Sequence, residues 1–492
     1  MQASWAGDEE EIVGSIYPTD IVISATPLIV SDARDQEVEV LREPAGYADP
    51  QLAEALGPAA YILAATGVDQ DFRSAIRVAV GRHPAYHQQV SALDETNAGQ
   101  KQARAALYPQ LSASLNGDYV LRRNFDAGTD NVVESLRPRD QFTAGISASQ
   151  LVYDGGATFQ RIKSAKARHS EFENSISARI NELSYSALAA YHDLMTHQAL
   201  LLLGDAVVRR HKTILDDVKE RERLGAGSRA DIARAQARLA STRARVEEIR
   251  ESGRLAEIRF QEFFRDAPNT QSAALTRPSF DALVVNSREE ASSLALSRSP
   301  ELAIAAARAS ASRADYKAAK GSRLPEVRVS VDAVKFDVFD GSDDFDVRAG
   351  VNLNYNIFGG GARAAEISQA GSKAKQAKFG EEQVRQQTAR EAAMAYERRE
   401  GTRLRLAALK DALIAQNTTR HLVLERYRVA RGELIDVLQA ENDYFEAGVA
   451  YLTGLANRDM ATYALMEHTG DLIRFFSPTE EYTDVLGGGI DG

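Results

Sequence analysis

The sequence contains no cysteine among its 492 residues. Disulfides, thiolate metal centres and cysteine nucleophiles are therefore excluded. So is an acylated N-terminal cysteine in the chain as it stands. No apolar run approaches the roughly 20 residues that a membrane helix needs, and the mean hydropathy is −0.33. Helical membrane spans are excluded; a β-barrel, whose strands are short and only alternately apolar, is not. Long basic runs are missing and the net charge is −11, which argues against a nucleic-acid partner. Met1–Gly7 has neither a basic n-region nor an apolar h-region, so the numbering is expected to begin at a mature form. The glycine clusters at Gly155 and Gly359 lack the Lys-Ser/Thr of a phosphate loop. His83 and His87 stand four apart, but Pro84 lies between them and no third ligand is spaced to help, so they read as surface histidines. No Ser-His-Asp set or paired-carboxylate site is present. The chain reads as a non-enzyme without cofactor or metal.

What is present is a strand, a glycine corner and a long helix, twice over. Leu151-Val-Tyr-Asp-Gly-Gly-Ala157 and Asn356-Ile-Phe-Gly-Gly-Gly-Ala362 each close a strand and open an alanine-rich helix. Pro84 and Pro109 are answered 216 residues later by Pro300 and Pro325; Gly156, Gly227 and Asp231 are answered 205 residues later by Gly361, Gly432 and Asp436. The offset drops only between the strands, so the hairpin tips differ in length and the helices do not. Repeats of this size point to an internal duplication.

Period-2 alternation marks four strands with one apolar and one polar face. Leu111, Ala113, Leu115, Tyr119 and Leu121 oppose Ser112, Ser114, Asn116 and Asp118, with a break at Gly117. Phe142, Ala144, Ile146, Ala148 and Val152 oppose Thr143, Gly145, Ser147 and Ser149. Val327, Val329, Val331 and Ala333 oppose Arg328, Ser330 and Asp332. Val347, Ala349, Val351, Leu353, Tyr355 and Ile357 oppose Arg348, Gly350, Asn352, Asn354 and Asn356. A strand of about ten residues is what a tilted bilayer crossing needs. Pro109 and Pro325 mark the entries to the hairpins. Gly155, Gly156, Gly359, Gly360 and Gly361 form the corners. Tyr153 and Phe358 end the returning strands, where an interfacial aromatic belt would fall.

Helices are expected over 71–107, 157–224, 231–265, 362–430 and 436–468. The two longest would each reach about 100 Å at 1.5 Å per residue. In the third, Ile232, Leu239, Val246, Gly253 and Phe260 recur every seven residues, with Ala235, Thr242, Ile249, Ala256 and Phe263 as the second row. Val437, Tyr444 and Tyr451 pair in the same way with Ala440, Ala447 and Gly454. These are heptad seams rich in small residues. Two short helices end to end match one long one, the arithmetic of a tube wall. The organisation reads as an extension over 1–68, a first repeat over 69–266 with its hairpin at 110–153, a linker over 267–286, a second repeat over 287–468 with its hairpin at 325–358, and a tail over 469–492. The fold class is α+β membrane protein: a long antiparallel helical coiled-coil barrel with four transmembrane strands per protomer.

Four strands cannot close a membrane barrel, and an open edge in lipid leaves backbone groups unpaired. Protomers must then share one barrel, twelve strands from three copies. The fragments Ala106-Leu-Tyr-Pro-Gln-Leu111 and Ser322-Arg-Leu-Pro-Glu-Val327 enter the hairpins. Together with both corner motifs and Tyr427-Arg-Val-Ala-Arg-Gly-Glu-Leu-Ile-Asp-Val-Leu-Gln-Ala440, they resemble the TolC family of trimeric outer-membrane exit ducts, over residues 70–468. The resemblance implies a homotrimer in the outer membrane of a Gram-negative bacterium, with most of the chain in the periplasm as a helical tunnel closed at its inner end. Its implied partners are a periplasmic adaptor (membrane fusion) protein, an inner-membrane transporter that supplies the energy, and outer-membrane lipid.

In that family, carboxylates and arginines near the helix turns line the closed entrance. Asp231, Glu433 and Asp436 are the candidates here, with Arg229 and Arg431 as partners across protomers. Gln439 stands where some members carry a second carboxylate, a departure from a doubled acidic ring. The competing reading is plain helix capping, since Asp231 follows Ser228 at capping-box spacing. The polar faces, with Ser112, Asn116, Ser147, Asn352 and Asn354, would line a water-filled lumen. The favoured function is type I protein secretion with an ATP-binding-cassette transporter. Two features favour it: no cysteine for lipidation, and a Tyr-Asp-Gly-Gly corner resembling the secretion branch. Drug or metal efflux with a proton-driven pump is the alternative. A soluble coiled-coil scaffold is the alternative of another class, and the four amphipathic strands argue against it.

Overall fold

The computed structural model describes residues 49–63, 65–67, 70–122, 124, 140–264, 277–280, 285–339 and 343–477. The expected features of residues 1–48, most of the first hairpin tip and the end of the tail lie outside them. The first half of the chain holds α1 (Pro50–Leu56), α2 (Ala60–Leu63), β1 (Ala65–Gly67), α3 (Gln70–Arg82), α4 (Pro84–Ala105), β2 (Gln110–Tyr119), β3 (Asp140–Tyr153), α5 (Ala157–Arg223) and α6 (Arg229–Phe263). The second holds β4 (Arg277–Ser279), α7 (Arg288–Arg298), α8 (Pro300–Gly321), β5 (Glu326–Lys335), β6 (Phe345–Asn354), α9 (Ala362–Arg428), α10 (Leu434–His468) and α11 (Asp471–Phe476). Equivalent helices have equal lengths: 22 residues for α4 and α8, 67 for α5 and α9, 35 for α6 and α10.

The helix expected over 71–107 is two helices, broken at His83. Pro84 has no N–H to give a preceding turn and its ring clashes with the carbonyl four residues back. His83 becomes an N-cap whose Nδ1 accepts from the Ala85 N–H at 3.2 Å. The second half repeats the device: the Ser299 hydroxyl accepts from the Leu302 N–H at 3.1 Å, and Pro300 starts α8.

The chain divides into two compact units. The first comprises residues 1–76, 187–282 and 404–459; the second comprises 77–186, 283–403 and 460–492. In the first unit, α6 buries Ala235, Leu239, Thr242, Val246, Ile249, Gly253, Ala256 and Phe260. These alternate at spacings of four and three, the seam of a coiled coil. Small residues on one helix receive large ones from another: a Cβ at Gly448 would lie 2.6 Å from the Leu203 side chain, and one at Gly454 equally close to Leu409.

The segment from Asp49 onward is packed, where the sequence suggested a loose extension. Leu52, Ala55, Leu56, Ala59, Ala60 and Ile62 are buried against the long helices. Asp49 caps α1 by accepting from the Gln51 and Leu52 N–H groups, and Pro50 occupies the first turn. β1 pairs in parallel with β4, inside the expected linker. Arg277 of β4 reaches the buried Asp459, its Nη2 donating to Oδ1 at 2.7 Å, and His192 Nε2 lies 2.9 Å from Oδ2. Burial pushes the Asp459 carboxyl up, but hydrogen bonds and charge from Arg277 and His192 outweigh it and hold the pKa at about 2. The stability this contributes is present above the ordinary value of 3.8 and is lost as pH falls toward 2.

In the second unit Glu467, on the last turn of α10, behaves in the opposite sense. Burial, and then the carboxylates of Glu301, Glu182 and Glu391, push its pKa from 4.5 to about 7. Between those values the native state holds a proton that the unfolded chain has released, so stability declines as pH rises through that window. Glu467→Gln is expected to raise the melting temperature by a few degrees above pH 7 and to change it little below pH 4.5. Thermal melts at both ends of the window check this; equal shifts at both would contradict it.

Candidate membrane sheet and helix turns

The four long strands form one antiparallel sheet in the order β2-β3-β5-β6. Register places the apolar residues in continuous rows: Leu111, Ala148, Val331 and Ala349 in one, Ala113, Ile146, Ala333 and Val347 in the next. Ser112, Ser147, Asp332 and Arg348 form a polar row on the other face. There Ser147 and Ser330 donate to the Asp332 carboxylate, Ser330 at 3.1 Å, and Asn352 donates to Ser330 at 3.4 Å. No residue of the four strands is buried. Leu111 is 75% exposed and Val351 72%, values that belong to a surface facing something other than its own core. Among the described residues, β2 and β6 carry no further strand on their outer edges.

Two details differ from simple alternation. A bulge between Leu151 and Tyr153 takes Val152 out of register and sets Tyr153 opposite Val327, so Tyr153 rather than Val152 continues the apolar row. β6 begins at Phe345 and ends at Asn354, so Tyr355 to Phe358 belong to the corner, where Phe358 is 86% exposed. The break at Gly117 is a seat: a Cβ there would lie 2.6 Å from the ring of Phe142, its cross-strand partner.

The corners redirect the chain from strand to helix. Pro109 and Pro325 immediately precede β2 and β5. After β3, Asp154 accepts from the Thr158 N–H and hydroxyl, both at 2.7 Å, and so caps α5. Gly155 has φ +68°, and a Cβ there would meet the Gly321 carbonyl at 2.3 Å. Gly156, Gly360 and Gly361 also take left-handed conformations, whereas Gly359 does not.

At the other end of the long helices the two turns match. The Ala226 N–H donates to Arg221 O at 2.8 Å, and the Arg431 N–H to Arg426 O at 2.9 Å, a helix-ending bond of the Schellman kind. Gly225 supplies the left-handed residue in one turn and Ala430 in the other, with φ +76° and +57°. Arg221 joins the turns: its guanidinium lies 4.1 Å from the Tyr427 ring centroid and donates to Tyr427 O at 3.3 Å. This pair was not singled out from the sequence, because a contact between the two repeats requires knowing how their helices align.

The entrance candidates fall at these turns but do not pair with one another. Asp231 accepts from the Ser228 hydroxyl at 2.8 Å while its N–H donates back at 3.2 Å, a reciprocal cap, and it faces Arg234 at 3.4 Å. Arg229 lies 3.7 Å from Glu222 and is almost wholly exposed. Gln439 donates to Asp443 at 2.7 Å. Glu433, Asp436 and Arg431 are exposed, with no ion pair within the chain among the described residues. No group of side chains among the described residues is arranged to hold a metal ion.

An open amphipathic sheet, joined through glycine corners to 67-residue helices that end in tight turns, defines a membrane transport duct. The chain belongs to the outer membrane efflux protein family, whose profile matches residues 75–262 and 291–471. Its place is the outer membrane, and the family is one of channels rather than enzymes. The outer membrane efflux protein BepC of Brucella suis biovar 1 (strain 1330) is 25% identical over 395 residues, covering 78% of this chain and 83% of that protein. A membrane protein from Pseudomonas aeruginosa superposes with TM-score 0.72 at 20% identity, covering 89% of this chain and 96% of that one. The Campylobacter jejuni CmeC outer membrane channel superposes with TM-score 0.74 at 15% identity, covering 86% and 90%.

Placing a charge on the apolar face at mid-strand is expected to block membrane assembly. Val351→Arg should cost about 2–4 kcal/mol at bilayer mid-depth and remove the protein from the outer-membrane fraction. Asn352→Arg, one residue along on the polar face, should leave it there. Cell fractionation of both variants checks the pair.

Proposed function

We propose that three copies of this chain assemble into one duct, with β2 of each protomer pairing with β6 of the next in a shared twelve-stranded barrel. The supporting observation is a sheet with no buried face and two unpaired edges. Backbone groups on those edges cannot stay unpaired in hydrocarbon, where each costs several kcal/mol, and a rotationally repeated edge-to-edge contact that closes satisfies all of them. The polar rows then line a water-filled lumen, Tyr153 and Phe358 sit at the lipid boundary, and the long helices continue as a periplasmic tunnel. The equal helix lengths of the two halves support an internal duplication, which gives six similar hairpins around the ring.

The duct serves a tripartite export system, receiving cargo through a periplasmic adaptor from an inner-membrane transporter. Type I protein secretion with an ATP-binding-cassette transporter is the reading we favour. It rests on the Tyr153-Asp-Gly-Gly corner. Multidrug or metal efflux is the second reading; the Brucella relative is named an efflux protein. Cross-linking in intact cells followed by mass spectrometry of the captured partners decides. An ATP-binding-cassette transporter with its adaptor is the expected result; a proton-driven pump would move the substrate class to small molecules.

Asp436 is the strongest entrance candidate, because it is exposed and uncommitted while Asp231 is engaged in capping. Asp436→Ala is expected to raise single-channel conductance in planar bilayers, and Asp231→Ala to act mainly by weakening the start of α6. Unchanged conductance in the first variant would leave Asp436 as a first-turn helix carboxylate.

A further inference from the structure

The first unit contains a buried group of charges that neither the strands nor the turns use. Arg210 of α5, Arg420 of α9 and Glu441 and Tyr444 of α10 meet there. Glu441 is almost completely buried, with Oε2 at 3.0 Å from Arg210 Nε and 3.9 Å from Arg420 Nη1. Both guanidiniums lie against the Tyr444 ring, their carbons 4.9 and 4.2 Å from its centroid. The Tyr444 hydroxyl donates to Ala55 O at 2.6 Å, so α1 covers the group.

The charges do not balance. Two guanidiniums share one buried carboxylate, and Arg238 stands nearby, donating to Asn442 at 3.1 Å. His211 is buried beside them; burial, with Arg238 and Arg210, pulls its pKa down to about 4, so it is neutral at physiological pH. Glu54 of α1 also favours the Arg420 charge, and it is exposed. Hydrogen bonding is incomplete as well. Arg420 is nine-tenths buried; its Nη2 donates to Asn417 at 2.7 Å and lies 2.9 Å from His421 Nε2. Its Nε and Nη1, and Arg210 Nη2, are buried without a hydrogen-bond acceptor among the described residues. Buried N–H groups of a charged side chain are rarely left so, because the lost hydration is not recovered.

A planar guanidinium fork is matched by the paired oxygens of an oxyanion. We propose that Arg210 and Arg420 form a binding site for one small oxyanion per protomer, of the sulfate or phosphate class, held beside Tyr444 between α5, α9 and α10 beneath α1. Such an anion accepts from orphaned N–H groups of both guanidiniums and offsets the excess positive charge. Through Tyr444 it also fastens α1 to the long helices. Chloride, a single spherical acceptor, cannot bridge the fork in this way.

The test uses the full-length protein in detergent. Isothermal titration with inorganic sulfate and with inorganic phosphate is expected to show saturable binding at one site per chain, absent with chloride at matched ionic strength. Thermal melts should rise with sulfate to a plateau beyond the general salting effect, which does not saturate. Arg420→Gln is expected to abolish the saturable part and Arg210→Gln to weaken it at least tenfold. Arg420→Lys, which keeps the charge and loses the fork, is the substitute if Arg420→Gln does not fold, and should also abolish it. No saturable heat with either anion, or unchanged binding in Arg210→Gln and Arg420→Lys, would overturn the proposal.

Discussion

Backbone hydrogen bonding in lipid is the constraint on which the rest depends. A strand in hydrocarbon has no water to satisfy its N–H and C=O groups, so every edge must find a strand. Among the described residues, four long strands form one sheet and the outer edges of β2 and β6 have no partner strand. Its apolar residues point away from any core of its own, and the polar rows on the opposite face are held by hydroxyl and carboxylate contacts such as Ser330 to Asp332. The requirement that every edge find a strand is the ground for the proposed closure of several copies into one barrel with a polar interior, and it fits the outer-membrane place of the family.

The helices answer a different demand. A helix of 67 residues has little to hold it but side-chain packing along its length. Alternating four- and three-residue spacing in α6 keeps one seam facing its neighbours, and glycines such as Gly448 and Gly454 let large side chains sink between backbones. The first unit adds a lateral tie. α1 and the β1–β4 ribbon are fastened by the Tyr444 hydroxyl and by Arg277 on buried Asp459. Buried ion pairs contribute modest net stability, but breaking one leaves an uncompensated charge, which makes such a tie hard to lose. The excess of guanidinium around Glu441 lies under the same segment.

At the helix turns, local chemistry and functional chemistry draw on the same residue types. A carboxylate in the first turn of a helix is favoured by the helix dipole whether or not it does anything else. Asp231 is absorbed by its cap with Ser228, whereas Asp436, at the matching place 205 residues on, keeps its carboxylate unpaired. The two halves of the chain therefore present similar turns with different exposed charge.

The elements and their repetition were legible in the sequence because each is a local property. Period-2 alternation defines the strands, seven-residue spacing defines the seam through Leu239 and Val246, and the glycine corners follow from the left-handed backbone that only glycine adopts easily. Other features depended on residues far apart in sequence. Residues 49–63 read as part of an extension, and only the core offered to Leu52, Leu56 and Ile62 makes the segment packed helix. The bulge at Val152 is a matter of register with β5. The contact of Arg221 on Tyr427 and the buried triad of His192, Arg277 and Asp459 join positions between 182 and 267 residues apart. The sequence by itself determined the four long strands, the long helices that follow them and, up to the bulge at Val152, which face of each strand is apolar. The tertiary structure alone decided which carboxylates are committed to caps and buried pairs and which stay free, because that depends on which side chains the packed helices bring within hydrogen-bonding distance.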